Sequence, residues 1–179
     1  VNAETMKLKK SLSAEQRRAL LATPAGWLAC GFGSGLTPVA QGTSGSMAAL
    51  IPWLWLRQLS LPIYVAVLIV GYVVGVWACN VAGRAIGVAD HRSVVWDEFI
   101  GQWIALLPLL IPAFLPASGF AWWMVGTGFA LFRLFDVWKP WPISWLDRHM
   151  KDGTGVMVDD VVAGIFAAIV LALGLLALH

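Results

Sequence analysis

Long apolar runs, rather than short amphipathic stripes, set the pattern of this chain. Leu61–Ala82 holds 22 residues, with Asn80 as its one strongly polar side chain. Phe99–Pro116 adds 18, Gly119–Phe135 adds 17 with Arg133 near its end, and Val161–Leu178 adds 18. As helices, runs of roughly 18 residues or more are long enough to cross the hydrocarbon of a bilayer. A fifth run, Ser44–Leu56, is too short to span alone; it extends back through the small residues of 35–45 or enters only partway. The pattern predicts an all-α, polytopic membrane helical bundle of about five crossings, one of them short or broken. Pro108 and Pro112 should kink the run Phe99–Pro116, because each removes a backbone donor. A basic, amphipathic segment, 1–22, precedes a membrane-embedded domain, 23–179.

Composition sharpens the class. Hydrophobic residues make up 59% of the chain and charged residues 12%, against roughly 45–50% and 25% in soluble domains. A soluble chain of 179 residues cannot hide so much apolar surface. The net charge of +2 conceals an asymmetry. Lys7, Lys9, Lys10, Arg17 and Arg18 crowd the start, which places the N-terminus in the cytoplasm, since basic loops stay inside. Arg84, Arg92, Lys139, Arg148 and Lys151 then also fall inside, and Arg57 falls outside. Trp53, Trp55, Trp122, Trp123, Trp138, Trp141 and Trp145 lie near run ends, where interfacial anchoring explains them. Cys30 and Cys79 are too few for a disulfide framework and read as buried thiols. No short apolar core with a cleavage site follows the basic start, so no signal peptide is expected.

The acids are not scattered. Asp97 and Glu98 precede one run, Asp136 closes another, and Asp159 and Asp160 precede the last. At about 1.5 Å per residue, all five stand about one membrane thickness from the outer side, at the cytoplasmic interface. Two explanations compete. A carboxylate in a first helical turn complements the helix dipole, which covers Asp97, Glu98, Asp159 and Asp160. Asp136 ends a helix, where the dipole disfavours an anion, and pairs by spacing with Arg133. Alternatively, the five carboxylates hold a hard divalent cation through oxygen, Mg²⁺ above all. Adjacent carboxylates on a helix point about 100° apart, so only one of each neighbouring pair can aim straight at one ion.

Lys139 sits in Asp136-Val-Trp-Lys-Pro-Trp-Pro142, a segment stiffened by two prolines, and Arg148 follows. Cations beside a carboxylate cluster suit a phosphate. Gly31-Phe-Gly-Ser-Gly35 and Gly42-Thr-Ser-Gly-Ser46 can expose backbone donors to phosphate, or simply let helices pack closely. Neither a dinucleotide fingerprint nor a P-loop is present. Cys79 to Arg84 is one residue short of a Cys-x5-Arg loop, and His91, His149 and His179 lack zinc spacing.

Four stretches resemble the bacterial phosphatidylglycerophosphatase A family. They are Gly31-Phe-Gly-Ser-Gly-Leu-Thr-Pro38 with Gly42-Thr43 and Gly45-Ser46; Gly87-Val-Ala-Asp-His91 with Val95-Trp-Asp-Glu-Phe-Ile-Gly101; Phe132-Arg-Leu-Phe-Asp-Val-Trp-Lys-Pro-Trp-Pro-Ile143 with Asp147-Arg148; and Gly153-Thr-Gly-Val-Met-Val-Asp-Asp-Val-Val-Ala-Gly164. Gln41 departs from the proline expected before Gly-Thr. The resemblance implies a Mg²⁺-dependent enzyme of the bacterial inner membrane. It would convert phosphatidylglycerophosphate to phosphatidylglycerol and inorganic phosphate, so the partners are a phospholipid and the membrane, not a nucleic acid.

On this reading 23–179 is a membrane-embedded phosphatase domain. Asp97, Glu98, Asp136, Asp159 and Asp160 are the candidate metal ligands. A carboxylate that does not ligate directly, Glu98 or Asp160, takes the proton of the attacking water. Lys139, Arg133 and Arg148 neutralise phosphate charge, with Gly31, Gly33, Ser34, Gly35 and Thr43 completing the cradle. A phosphatase for another lipid phosphate monoester is the nearest alternative, and a small cation or proton transporter a more distant one.

Overall fold

Helices make up the regular structure of residues 12–88, 91–149 and 153–178, which the computed structural model describes. The candidate residues and basic positions at 1–11, 150–152 and 179 lie outside that set, as do the side chains of Asp147 and Arg148. In chain order the helices are α1 (Ala14–Leu21), α2 (Pro24–Ala29), α3 (Gln41–Leu56), α4 (Leu61–Ile86), α5 (Trp96–Ala105), α6 (Trp122–Trp138), α7 (Ile143–His149) and α8 (Gly153–Leu176). The amphipathic start is α1. Ser13 and Gln16 close a capping box at its head, and Gln16 Nε2 donates to Ile86 O at 2.7 Å, docking it on the end of α4.

Two helices, α4 and α8, are long and apolar enough to cross a membrane. In their most apolar windows 22% and 44% of residues are buried, so most of this surface faces outward. Ile69, Val70, Val73 and Trp77 on α4 are over half exposed, as is Leu173 on α8. Apolar faces of that size suit lipid, not water. The other runs are shorter as helices. The run Phe99–Pro116 is helical only to Ala105, then breaks into 3₁₀ turns at Leu107–Leu110 and Pro112–Phe114. The prolines do more than kink it: without their N–H groups the α ladder stops. α3 begins at Gln41, so Ser44–Leu56 belongs to a helix of 16 residues, and α6 has 17.

The short α5 is the hub. It lies against α3, α4, α6 and α8, with both indole donors used across helices. Trp96 Nε1 donates to Gly71 O at 2.9 Å and Trp103 Nε1 to Ala49 O at 2.8 Å. The Tyr64 hydroxyl donates to Trp103 O at 2.7 Å. Each bond satisfies a buried polar group and fixes the rotation of α5. Against α8 the approach is closest. A Cβ on Gly164 would stand 2.5 Å from Gly101 O, and one on Gly101 would stand 2.8 Å from Asp160 O. Two glycines thus let two backbones touch.

Candidate active site

Asp97 is one turn before Gly101 on α5, and Asp160 is one turn before Gly164 on α8. The glycine crossing therefore sets these carboxylates opposite each other. Glu98 completes a trio with ligand oxygens all within 4.8 Å of one another. Asp97 and Asp160 are buried. Asp97 Oδ1, Glu98 Oε2 and Asp160 Oδ2 are buried and have no hydrogen-bond partner among the described residues. Three carboxylates so close together, each with a buried oxygen left without a partner, suit a cation between them. A hard divalent ion with oxygen ligands at about 2.0–2.6 Å fits that donor set.

The other two predicted ligands are engaged with cations. Asp136 Oδ2 pairs with Arg133 Nη1 at 2.6 Å. Asp159 Oδ2 pairs with Lys139 Nζ at 2.5 Å. Lys139 caps α6 in a left-handed conformation (φ 46°), and its Nζ reaches Asp159 on α8. Asp136 still meets Asp160 side chain to side chain, so all five acids share one neighbourhood.

The dipole explanation holds for half the acids. Asp97 and Glu98 do lie in the first turn of α5. Asp159 and Asp160 do not lie in the first turn of α8, because that helix starts at Gly153 rather than Val161. Asn80 Oδ1, from α4, accepts from Gly153 N at 3.2 Å and ties this part of α8 to the bundle.

The glycine-rich stretches divide. Gly31–Leu36 is a 3₁₀ segment interrupted by left-handed Phe32 (φ 55°) and Gly33 (φ 100°). A Cβ on Gly31 would meet Phe99 and Val95, so this turn seats the start of α5. Gly35 has no room for one either, against the Ser93 carbonyl. The Ser34 hydroxyl is spent on Gly31 O at 2.8 Å. Gly31, Ser34 and Gly35 therefore have a packing role, whereas a Cβ on Gly33 would meet nothing within 4 Å. Gly42 instead touches the site. A Cβ there would strike the Glu98 carboxylate and come within 3.1 Å of Arg133 Nη2. One turn on, Ser46 Oγ accepts from Arg133 Nη1 at 3.2 Å and donates to Gly42 O at 3.0 Å. Thr43 is half-buried beside Gly42.

Gly42 and Ser46 as Arg133-positioning residues were not singled out from sequence; only the start of α3 at Gln41 brings them there. Gln102 was also missed. It lies one turn beyond Glu98, wholly buried, and neither amide atom has a partner among the described residues. Burial pushes the Cys30 thiol up from its ordinary value, which leaves no thiolate for nucleophilic work. His91 Nδ1 accepts from Ser93 N at 3.1 Å, and His149 Nδ1 lies 2.8 Å from Trp145 O, so both serve local structure.

Comparison with known proteins agrees with this geometry. The family model described as phosphatidylglycerophosphatase A matches residues 27–175. Phosphatidylglycerophosphatase A of Escherichia coli (strain K12) is 44% identical over 151 residues, which cover 84% of this chain and 83% of the relative. The Haemophilus influenzae protein of the same name is 39% identical, over 86% of this chain and 90% of its own. A Bacteroides thetaiotaomicron protein named "Putative phosphatidylinositol-3-phosphatase" is 40% identical, over 79% and 87%. No solved structure matches the chain. The chain belongs to the phosphatidylglycerophosphatase A family.

Proposed function

We propose that this protein is a Mg²⁺-dependent phosphatase that removes the terminal phosphate of phosphatidylglycerophosphate in the bacterial inner membrane, leaving phosphatidylglycerol and inorganic phosphate. One observation carries the reading. Three carboxylates from two helices converge within 4.8 Å, each with one buried oxygen that has no hydrogen-bond partner among the described residues, flanked by two cations held in ion pairs. A site for a divalent ion beside a site for phosphate is what metal-assisted phosphoryl transfer requires.

Asp97, Glu98 and Asp160 would hold the ion, which when bound supplies Lewis-acid polarisation and a more acidic water. Arg133 and Lys139 neutralise the phosphate oxygens. Asp136 and Asp159 hold those two side chains in place and lower the cost of keeping unpaired cations at membrane depth. A carboxylate oxygen of the trio, from Glu98 or Asp160, accepts the proton of the attacking water. The lipid tails stay in the bilayer, and the headgroup alone enters.

In this reading the chain is multi-pass. The helices α3, α4, α6 and α8 and the broken segment from α5 to Phe114 make up the five passes, with the site and N-terminus at the cytoplasmic face. The support is the basic residues near the site end of the bundle and Arg57 at the other. The transporter alternative lacks a polar path. Beyond Gln102, the Tyr64 hydroxyl is committed to Trp103 O.

The test is phosphate release by the purified protein in detergent, with and without Mg²⁺. Phosphatidylglycerophosphate, phosphatidic acid and phosphatidylinositol 3-phosphate are compared, the last because of the Bacteroides relative's name. Mg²⁺-dependent release that favours the first lipid is expected. Preference for another lipid would overturn the substrate, and no release from folded protein would overturn the function.

A further inference from the structure

The end of the bundle away from the carboxylates holds a feature that the phosphatase reading leaves unused. Arg57, the residue that closes α3, is enclosed by three aromatic rings. Its guanidinium carbon lies 4.0 Å from the Phe120 ring centroid and 5.5 Å from those of Trp53 and Trp122. Phe120 and Trp122 brace each other edge to face at 5.3 Å. A separation of 4.0 Å is that of a stacked guanidinium, whose N–H donors then point sideways, off the ring.

Those donors have no acceptor among the described residues. Among the described residues, Arg57 is the one charged side chain in 57–60, 105–121 and 177–178, the segments that form this end. No carboxylate or carbonyl among them pairs with it. The dipole of α3 favours a cation at its C-terminus but relieves only part of the cost of an unpaired charge. Trp55, Trp122 and Trp123 are each more than half exposed around the same end. Such a belt marks headgroup depth, where phosphate is the abundant counterion.

We propose that Arg57, held by Trp53, Phe120 and Trp122, binds the phosphodiester of an anionic phospholipid at the bilayer face opposite the phosphatase site. The rings are already occupied by the guanidinium, and no described carboxylate stands nearby. Nothing there receives the ammonium of a zwitterionic headgroup. The ligand is therefore a headgroup without an amine, such as a glycerol ester. This site rests on reading the chain as a membrane bundle and is independent of the phosphatase chemistry.

Native mass spectrometry of the full-length protein in detergent tests it. Dioctanoyl phosphatidylglycerol, dioctanoyl phosphatidylcholine and inorganic phosphate are titrated separately. Melting and phosphatase activity are followed in parallel. The wild type should hold one copy of the glycerol lipid about tenfold more tightly than Arg57→Gln, the loss expected for a charge-assisted, two-pronged contact. The choline lipid should show no Arg57 dependence. Phosphatase activity should persist in Arg57→Gln, which separates this site from product held at the carboxylates. Equal retention by wild type and a normally melting Arg57→Gln overturns the proposal. So does displacement of the lipid by inorganic phosphate at matched concentration, which would mark a site for free anion. Where Arg57→Gln does not fold, Arg57→Lys and Phe120→Leu decide: undiminished retention in both overturns it. An inactive wild type with Arg57-dependent lipid binding would sink the function and leave this inference standing.

Discussion

The touching backbones of α5 and α8 make the carboxylate geometry depend on a glycine that meets no reacting group. In Gly164→Ala the new Cβ would stand 2.5 Å from Gly101 O and 3.1 Å from its Cα, where ordinary contact begins at 3.4 Å. Both neighbours are backbone, so no rotamer relieves the clash, and the helices must part by about 0.9 Å. Asp97 sits on one of them and Asp160 on the other, one turn away. Metal coordination tolerates about 0.2 Å, and misplacement of 1 Å costs on the order of 10²-fold in rate. The kcat should therefore fall about 100-fold. For stability two effects oppose. Alanine gains about 1 kcal/mol in helix propensity, and overpacking costs about 1–3 kcal/mol, so a net loss of up to about 2 kcal/mol is expected. Gly126→Ala and Gly174→Ala are the controls, since a Cβ at either meets nothing within 4 Å. They should gain stability and keep full activity. Phosphate release at saturating lipid and Mg²⁺ reads the rate, and thermal melting in detergent reads the fold. Full kcat with normal melting in Gly164→Ala would refute the claim that this crossing sets the site.

Four further outcomes are expected. Asp97→Asn and Asp160→Asn should each lower kcat/KM by on the order of 10²–10³ or more in the same assay, with the protein still in the membrane fraction. Lys139→Met and Asp159→Asn should each impair turnover, and the double variant less than the sum, by a coupling of about 0.5–3 kcal/mol in a double-mutant cycle, because one change strands the other's partner. Asn80→Ala removes the hydrogen bond to Gly153 N and should cost about 1 kcal/mol, read as a melting shift of a few degrees. Chelation should abolish phosphate release and lower the melting temperature, and Mg²⁺ should restore both, since an ion bound only by the folded trio stabilises it.

Much of this was legible in the residues. The apolar runs gave α4 and α8, and the spacing gave the Arg133–Asp136 pair. What periodicity misses is anything that depends on which backbone approaches which. It placed the last apolar run at Val161, since Gly153–Asp160 carries two glycines and two acids, yet those residues are helical and Asn80, seventy-odd residues earlier, bonds Gly153 N. It took Phe99–Pro116 for a kinked helix, whereas the α-helix stops at Ala105 and 3₁₀ turns follow at Pro108 and Pro112. Within the site, type and clustering of the acids were visible, but not their division. Nothing local marks Asp160 as a trio member and Asp159 as the partner of Lys139. That follows from the turn of α8 against α5. Gly42 read as part of a donor-rich turn or a packing stretch, since its contact with Glu98 and Arg133 exists only in three dimensions.

The division itself has a physical logic. Were all five carboxylates ionised, as ligation of a metal requires, they and the two cations would carry a net charge of −3, gathered at one end of the bundle. A phosphate dianion would be repelled from that field, and the low dielectric would magnify the repulsion. The two ion pairs cannot cure this, because each neutralises only itself. They do something else: they fix where the positive ends lie, so that on the proposed function phosphate oxygens would meet Arg133 and Lys139 in one orientation. Attraction must then come from outside the chain, at the point the trio surrounds. An ion of charge +2 there would cut that net charge to −1 and would set positive charge directly against the phosphate oxygens. On the proposed function, the same acids would therefore couple substrate binding to metal binding. That coupling gives a reason for an otherwise costly concentration of like charge.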